Sequence, residues 1–306
     1  MSVLDSSLTL YRKTVKRFKP AHIAMHRIMS YVVIPFLEKV KGFQTIEDDP
    51  FWFRLELLTN RHEIETTQQI QQLIKPNMIV LDVGAHVGYY SRMFSALVGD
   101  KGQIIAFEPH PRTHAILKQN VGNLSNVTTH QIAVAEQEGT AELYDYLMMS
   151  ASGSLHYDES LADLQRAQMG EYDVAPRHDT QFEMQKFTVK TVPIDKCLME
   201  MGIQQVDFVK MDVEGAEMGA LRSMKQTIAN SPNLALIMEY NPQALKAFDH
   251  DPVQALTEIL SMGFSKIQAI NPDGSLTDWI HDASTVQTQT QAMLNTMGVI
   301  NLLFTR

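Results

Sequence analysis

Asp82-Val83-Gly84-Ala85-His86-Val87-Gly88 follows an apolar run, Met78 to Leu81, and opens the helical pattern Tyr89 to Val98. A second apolar run, Gln103 to Phe107, ends in Glu108-Pro109. Strand, glycine turn, helix, strand and acidic tip is the layout of a nucleoside-binding half-sheet. Glycine supplies the backbone freedom the tight turn needs. The helix that follows offers unpaired amide donors at its N-terminus. Glu108 lies twenty residues beyond Gly88, where a carboxylate accepts both hydroxyls of a ribose.

The spacing of the glycines separates the possible ligands. A dinucleotide fingerprint is G-x-G-x-x-G, with backbone against a pyrophosphate. Here the turn reads G-x-x-x-G, with Ala85-His86 where the second glycine would stand. Asp82, at the strand tip, repels an anionic pyrophosphate and attracts a ligand amine or cation. The turn therefore favours S-adenosylmethionine, with its ammonium and sulfonium, over a nicotinamide dinucleotide.

Bulk properties bound the rest. The 306 residues, 44% hydrophobic and 20% charged, suit one large domain or a domain with a helical extension. The single cysteine, Cys197, excludes an intramolecular disulfide framework, fits a reducing compartment and reads as core filler. A formal net charge of −9 argues against general nucleic-acid binding. Against that background, Arg12, Lys13, Lys16, Arg17 and Lys19 form a basic cluster. It reads as a solvated helix face, or as a contact for an anionic membrane surface or phosphorylated partner. No signal-peptide pattern follows it, and Ile28 to Leu37 is too short to span a bilayer. A cytoplasmic protein, with peripheral contact at a membrane through residues 12–19, is the expectation.

Along the chain, residues 1–62 read as a helical extension and 63–306 as the main domain. Ile23, Met25, Ile28, Met29 and Val32 recur at helical spacing, and Pro35 is expected to end or kink that helix. Phe51, Trp52 and Phe53 read as core packing, with a domain cap or substrate channel as the alternative. Expected strands are Met78–Val83, Gln103–Phe107, Val127–Val134, Thr140–Tyr146, Phe187–Val192, Phe208–Met211, Leu234–Glu239, Ser265–Ile270 and Val299–Phe304. Helical patterns fill 63–74, 89–98, 112–121, 194–201, 216–223 and 252–262. Strands this apolar are buried on both faces, hence a mainly parallel sheet. The last strand is expected antiparallel, returned by a short link beside its predecessor. Residues 148–186 break the rhythm and read as a lid or substrate loop.

A second segment, Val209-Lys210-Met211-Asp212-Val213-Glu214-Gly215-Ala216-Glu217, carries chemistry. An apolar strand delivers Asp212 to its carboxyl end, and Gly215 turns the chain into a helix. Ligands of open α/β sheets bind beyond those ends, so Asp212 shares a crevice with Asp82. Glu214 and Glu217 sit where carboxylates also favour a helix dipole. Glu239 ends another buried strand, ahead of Tyr240-Asn241-Pro242. Ser152-Gly153-Ser154-Leu155-His156 offers hydroxyls, amides and an imidazole. No local ligand spacing marks a metal, and none is expected.

The combined pattern resembles the FkbM family of S-adenosylmethionine-dependent methyltransferases. The matching pieces are Val80 to Ser91, Phe107-Glu108-Pro109, Ser152 to Leu155, Val192-Pro193-Ile194-Asp195 and Val209 to Glu217, within about residues 65–245. The resemblance implies the class I, Rossmann-like methyltransferase fold, with seven strands in a mainly parallel sheet, and methylation of oxygen. It implies that Asp82, Gly84 and Gly88 serve the amino-acid end of the cofactor. It places Glu108 and Pro109 at the ribose, and Ala133 and Val134 beside adenine. His86 stands where the family commonly has asparagine.

Methyl transfer is an in-line displacement, so the enzyme aligns the acceptor and excludes water. An alcohol acceptor gains from a base that takes its proton. The candidates, in order, are Asp212, Glu214, Glu239 and His156. The expected acceptor is a hydroxyl of a small molecule, sugar or glycan. A methyltransferase-fold protein whose extension docks to a membrane or partner is the second reading.

Overall fold

The computed structural model describes residues 19–145, 150, 153–156, 184–279, 283–296 and 298–306. Its centre is an eight-stranded sheet. The strands are β1 (Ile79–Val83), β2 (Gln103–Phe107), β3 (Val127–His130), β7 (Phe208–Met211), β8 (Ala235–Tyr240), β9 (Lys266–Ile270), β10 (Leu276–Asp278) and β11 (Ile300–Thr305). Their spatial order is β10-β9-β11-β8-β7-β1-β2-β3. From β3 through β8 all pairings are parallel. β4 (Ala133–Val134), β5 (Gly139–Asp145) and β6 (Gln185–Val192) make a separate three-stranded sheet in the order β4-β6-β5.

The strand order reverses at β1, which pairs β2 on one side and β7 on the other. That is the switch point at which doubly wound sheets bind ligands. β1, β2 and β7 deliver Val83, Phe107 and Met211 to one edge. Residues 84–88, 108–110 and 212–216 therefore meet above it.

Alternation along each strand divides the core between two faces. Leu81, Val83, Ile105, Phe107, Val209, Met211, Leu236 and Met238 share one cluster with α7 (Ile194–Glu200), α8 (Glu217–Arg222) and α11 (Pro252–Ser261). Cys197 lies in this cluster, buried, as core filler. Val80, Ile104, Phe208, Ile237 and Leu303 face the other way, onto α3 (Phe51–Leu58), α4 (Ile64–Leu73) and α5 (Tyr89–Val98). Phe53, Leu57 and Ile70 join this second cluster. Residues on both sides of position 62 thus pack on one face of the sheet.

Four expectations are corrected. The sheet has eight strands because β10 adds an antiparallel edge to β9. Val127–Val134 is two strands: β3 ends at His130, and β4 pairs with β6 in the small sheet. β11 is antiparallel, as expected, and lies between β8 and β9. The link that returns it is long, though, and carries β10 and α12 (Ala283–Thr296). Pro35, expected to end or kink the N-terminal helix, does not end it, and the distortion lies in the turn just before it. α1 (Lys19–Ile28) passes through a π-helical turn, Met29–Val33, into α2 (Ile34–Lys41), with the proline in its first turn. There the missing N–H costs little, and the wide turn before it makes room for the ring.

Candidate active site

The glycine turn is clamped to β2. Gly84 and Ala85 donate their N–H groups to the Phe107 carbonyl, at 3.0 and 2.9 Å. Gly84 has φ +85°, and a Cβ there would lie 1.8 Å from the Asp212 carbonyl oxygen. Only glycine fits where the β1 and β7 tips come this close. His86 also has a positive φ, +50°, a conformation that asparagine and histidine tolerate better than most residues. That backbone aims the His86 N–H at Glu108 Oε2, 2.9 Å away, while the His110 N–H donates to Oε1 at 2.9 Å. Glu108 is 7% exposed, and burial pushes its carboxyl up to about 7.

These groups border a cleft that opens to solvent. Gly84, His86, Glu108, Pro109, Ala133, Val134, Asp212 and Glu214 all line it, with Ile132, Leu143 and Leu155 as apolar wall. Gly88 lies outside the lining: a Cβ there would meet Leu117 Cδ1 at 2.7 Å, so this glycine serves close packing on α6 (Pro111–Val121). Asp82 also lies outside the lining and is fully buried. Its Oδ2 accepts from Ser91 at 2.5 Å, and Oδ1 has no partner. The cleft fits the expected cofactor. Glu108 oxygens, each held by one amide, keep lone pairs for a ribose diol. The apolar wall suits a purine.

Beyond Asp212 lies a second polar group on the sheet face under the N-terminal helices. Glu63, Asp212 and Glu239 each place a carboxylate oxygen within 4.8 Å of the others. Lys210, 2% exposed, donates to Asp212 Oδ2 at 2.8 Å and lies 4.8 Å from the Tyr90 ring centroid. Tyr90 in turn donates its hydroxyl to Glu63 Oε2 at 2.6 Å. Burial alone would raise the Asp212 carboxyl, but the charge and hydrogen bond of Lys210 outweigh it and hold Asp212 below its ordinary value. Glu214 is pushed to about 8 by burial and by Asp212. Glu239 is driven well above the carboxylate range by burial, then by Asp212 and Glu214. At neutral pH this leaves Asp212 ionised and the other two predominantly protonated. Such a group can bind several hydroxyls, as acceptor and as donor, or share a divalent cation.

Glu239 does not line the cleft, but it lies beside Asp212, which does. His156 does not line it either: its ring tilts against Phe248, with centroids 5.4 Å apart. Glu217 accepts from the Val213 and Gly215 amides and caps its own turn. Of the 148–186 loop, Ser150 and Gly153–His156 with 184–186 are described, and Ser152 lies outside the described residues. Ser154 pairs with the Tyr144 backbone and donates its hydroxyl to the Glu214 carbonyl at 3.2 Å. Ser150 bridges two distant segments, donating to Asp49 Oδ2 and meeting His86 Nε2, both at 2.6 Å. Burial lowers the His86 imidazole to about 3, so it is neutral. Since the Ser150 proton goes to Asp49, His86 Nε2–H is the donor to Ser150.

Sequence reasoning missed Glu63, Tyr90, Asp49 and Ser150. Their partners are 27 or more residues away in the chain, and no local pattern marks them. Lys210 had a signal that went unused: one cation inside the apolar strand Phe208–Met211 is rarely buried without a partner.

A family model, the methyltransferase FkbM domain, matches residues 82–266. The chain is 27% identical over 203 residues to the 2-O-methyltransferase NoeI of Sinorhizobium fredii, covering 63% of this chain and 75% of the relative. It is 24% identical over 209 residues to the hexuronic acid methyltransferase AglP of Haloferax volcanii, covering 66% and 73%. The crystal structure of a methyltransferase FkbM from Methylobacillus flagellatus aligns with a TM-score of 0.43 at 13% identity, over 89% of this chain and 58% of that one.

Proposed function

This chain belongs to the FkbM family of S-adenosylmethionine-dependent methyltransferases, and on that premise we propose that it methylates a hydroxyl of a sugar or similar polyhydroxylated molecule. The observation that carries this reading is Asp212, which lines the cofactor cleft and also belongs to the Glu63–Glu239 group. An acceptor bound among those carboxylates has its hydroxyl where the two sites join. Carboxyl groups are strong hydrogen-bond partners for hydroxyls, and three of them suit a polyol. The ionised Asp212 among them disfavours a carboxylate as the reacting group, so a hydroxyl is the group that suits this place. The names of two relatives, a 2-O-methyltransferase and a hexuronic acid methyltransferase, support methylation of oxygen and, in the second case, a sugar-derived acceptor.

The bound cofactor supplies a methyl carbon activated by its sulfonium. Glu108 holds the ribose through oxygens already fixed by two amides, so little reorganisation accompanies binding. Ala133, Val134 and Leu143 exclude water from the base. Of the four candidates for proton acceptor, Asp212 is the one ionised at neutral pH and placed in the cleft. Asp212 would take the proton of the acceptor hydroxyl as that oxygen becomes methylated. Lys210 fixes the carboxylate's orientation.

Extracts incubated with enzyme and methyl-labelled cofactor test this. The expected product is a saccharide or polyol one methyl heavier whose label survives mild base, as an ether does and an ester does not. Label confined to a base-labile ester or to a nitrogen overturns the reading. Asp212→Asn is expected to lower kcat at least about 100-fold, with S-adenosylhomocysteine affinity within a few-fold of the parent. Undiminished turnover removes Asp212 from the proton-accepting role.

A further inference from the structure

The outer face of α1, the π-turn and α2 bears Ile28, Val32, Phe36 and Val40, between 52% and 64% exposed. Such side chains occur singly on most surfaces, but here they follow one another along a single helical face. Ile28, Val32, Phe36 and Val40 recur every four residues. The charged residues exposed beside them are Arg27, Lys39 and Lys41, all basic. The acidic residue of α2, Glu38, turns inward, accepting from the Thr45 amide at 2.9 Å and from Arg54 Nη2 at 3.2 Å. Ile34, with no exposure, pins the helix to the second core cluster.

Charge along the chain follows the same division. Residues 1–41 hold eight Lys or Arg against two acidic residues, so the remainder carries a net −15 within the total of −9. Among the described residues no helix is long and apolar enough to cross a membrane. Residues 19–41 would extend about 34 Å if helical throughout. A helix with an apolar stripe flanked by cations, and without acidic residues on that face, suits the boundary between lipid headgroups and acyl chains. A second copy fits less well, because symmetric pairing of this face sets Arg27, Lys39 and Lys41 against their own counterparts.

We propose that this face docks the enzyme on an anionic lipid bilayer, with Val32, Phe36 and Val40 seated below the headgroups and Arg27, Lys39 and Lys41 among their phosphates. The docking is independent of the acceptor's identity.

Flotation of the full-length protein tests it, with vesicles of phosphatidylcholine alone and of phosphatidylcholine mixed with phosphatidylglycerol. Binding is expected to the mixed vesicles, weak binding to the neutral ones, and release as salt is raised. Phe36→Ser with Val40→Ser, and separately Lys39→Glu with Lys41→Glu, change exposed side chains and are expected to keep the parent's melting temperature. Each pair is expected to weaken vesicle binding at least about tenfold. A parent protein that stays unbound with the mixed vesicles overturns the proposal. So do variants that float as well as the parent, or a lipid-free dimer in sedimentation that Phe36→Ser with Val40→Ser dissolves.

Discussion

Lys210 lies 2% exposed in a strand otherwise made of Phe208, Val209 and Met211, with Asp212 at 2.8 Å and the Tyr90 ring beneath it. Removing its charge leaves Asp212 beside Glu63 and Glu239 with no buried cation. Lys210→Met is therefore expected to cost about 3–5 kcal/mol of stability. It is also expected to move the acidic limb of the pH–rate profile to higher pH, because the interaction that lowers the Asp212 pKa is gone. An unmoved limb with reduced kcat would leave Lys210 a structural role only. Since this ammonium already neutralises part of the acidic group, activity is expected to survive exhaustive chelation. Loss on chelation, restored by a divalent ion, would instead assign a cation to Glu63, Asp212 and Glu239. At Gly84 the argument is steric. A Cβ 1.8 Å from a carbonyl oxygen must push the β1 and β7 tips apart. Gly84→Ala is expected to abolish S-adenosylhomocysteine binding in calorimetry and to cost on the order of 3 kcal/mol or more.

Among the elements, the N-terminal helices are held by a compact polar knot. Arg54, on α3 and 4% exposed, donates to Thr45 Oγ1 at 2.7 Å, to the Glu47 carbonyl at 3.2 Å and to Glu38 Oε1 at 3.2 Å. One guanidinium thus ties α2, the 43–50 connection and α3 together. That connection carries Asp49, which reaches Ser150 and through it His86. Arg54→Met leaves Glu38 half-paired in a low-dielectric setting and loosens this path. Limited proteolysis is expected to cut the variant within residues 19–50 at least about tenfold faster than the parent, as about 1.4 kcal/mol of local stability would dictate. Equal cleavage rates would show that Ile34, Phe43 and Ile46 hold the segment unaided. The helix period of Ile23 to Val32 was legible in the sequence. Pro35 marked where that helix would be disturbed, but not that the disturbance is a π-turn placed before it.

For the whole molecule, the site concentrates acids whose pKa values are raised by burial. Glu108 and Glu217 move from 4.5 to about 7, and Glu214 to about 8. A carboxyl that holds its proton more tightly when folded stabilises fully below its unfolded pKa. That contribution is lost as pH rises through the folded value. His62, His86, His114 and His130 are lowered by burial, so their contribution is present above 6.5 and lost as pH falls. The two sets oppose each other below 6.5, and only the carboxyls act between 6.5 and 8. The ligand-free protein is accordingly expected to melt several degrees lower at pH 8 than at pH 6.5, at constant ionic strength. A flat or rising melting temperature across that window would mean these carboxyls are not protonated in the folded protein.

The sequence by itself determined the βα frame, the glycine turn from Gly84 to Gly88 and the acidic tip Glu108, because each is written in a few adjacent residues with a fixed period or spacing. It also placed Asp212 at a strand end. Tertiary structure alone decided that β11 enters between β8 and β9, that Gly88 serves helix packing, and that Glu63 joins Asp212 and Glu239. Those outcomes depend on which distant segments share a face, and on how burial resets the charge of acids that meet there. Neither is encoded in local spacing.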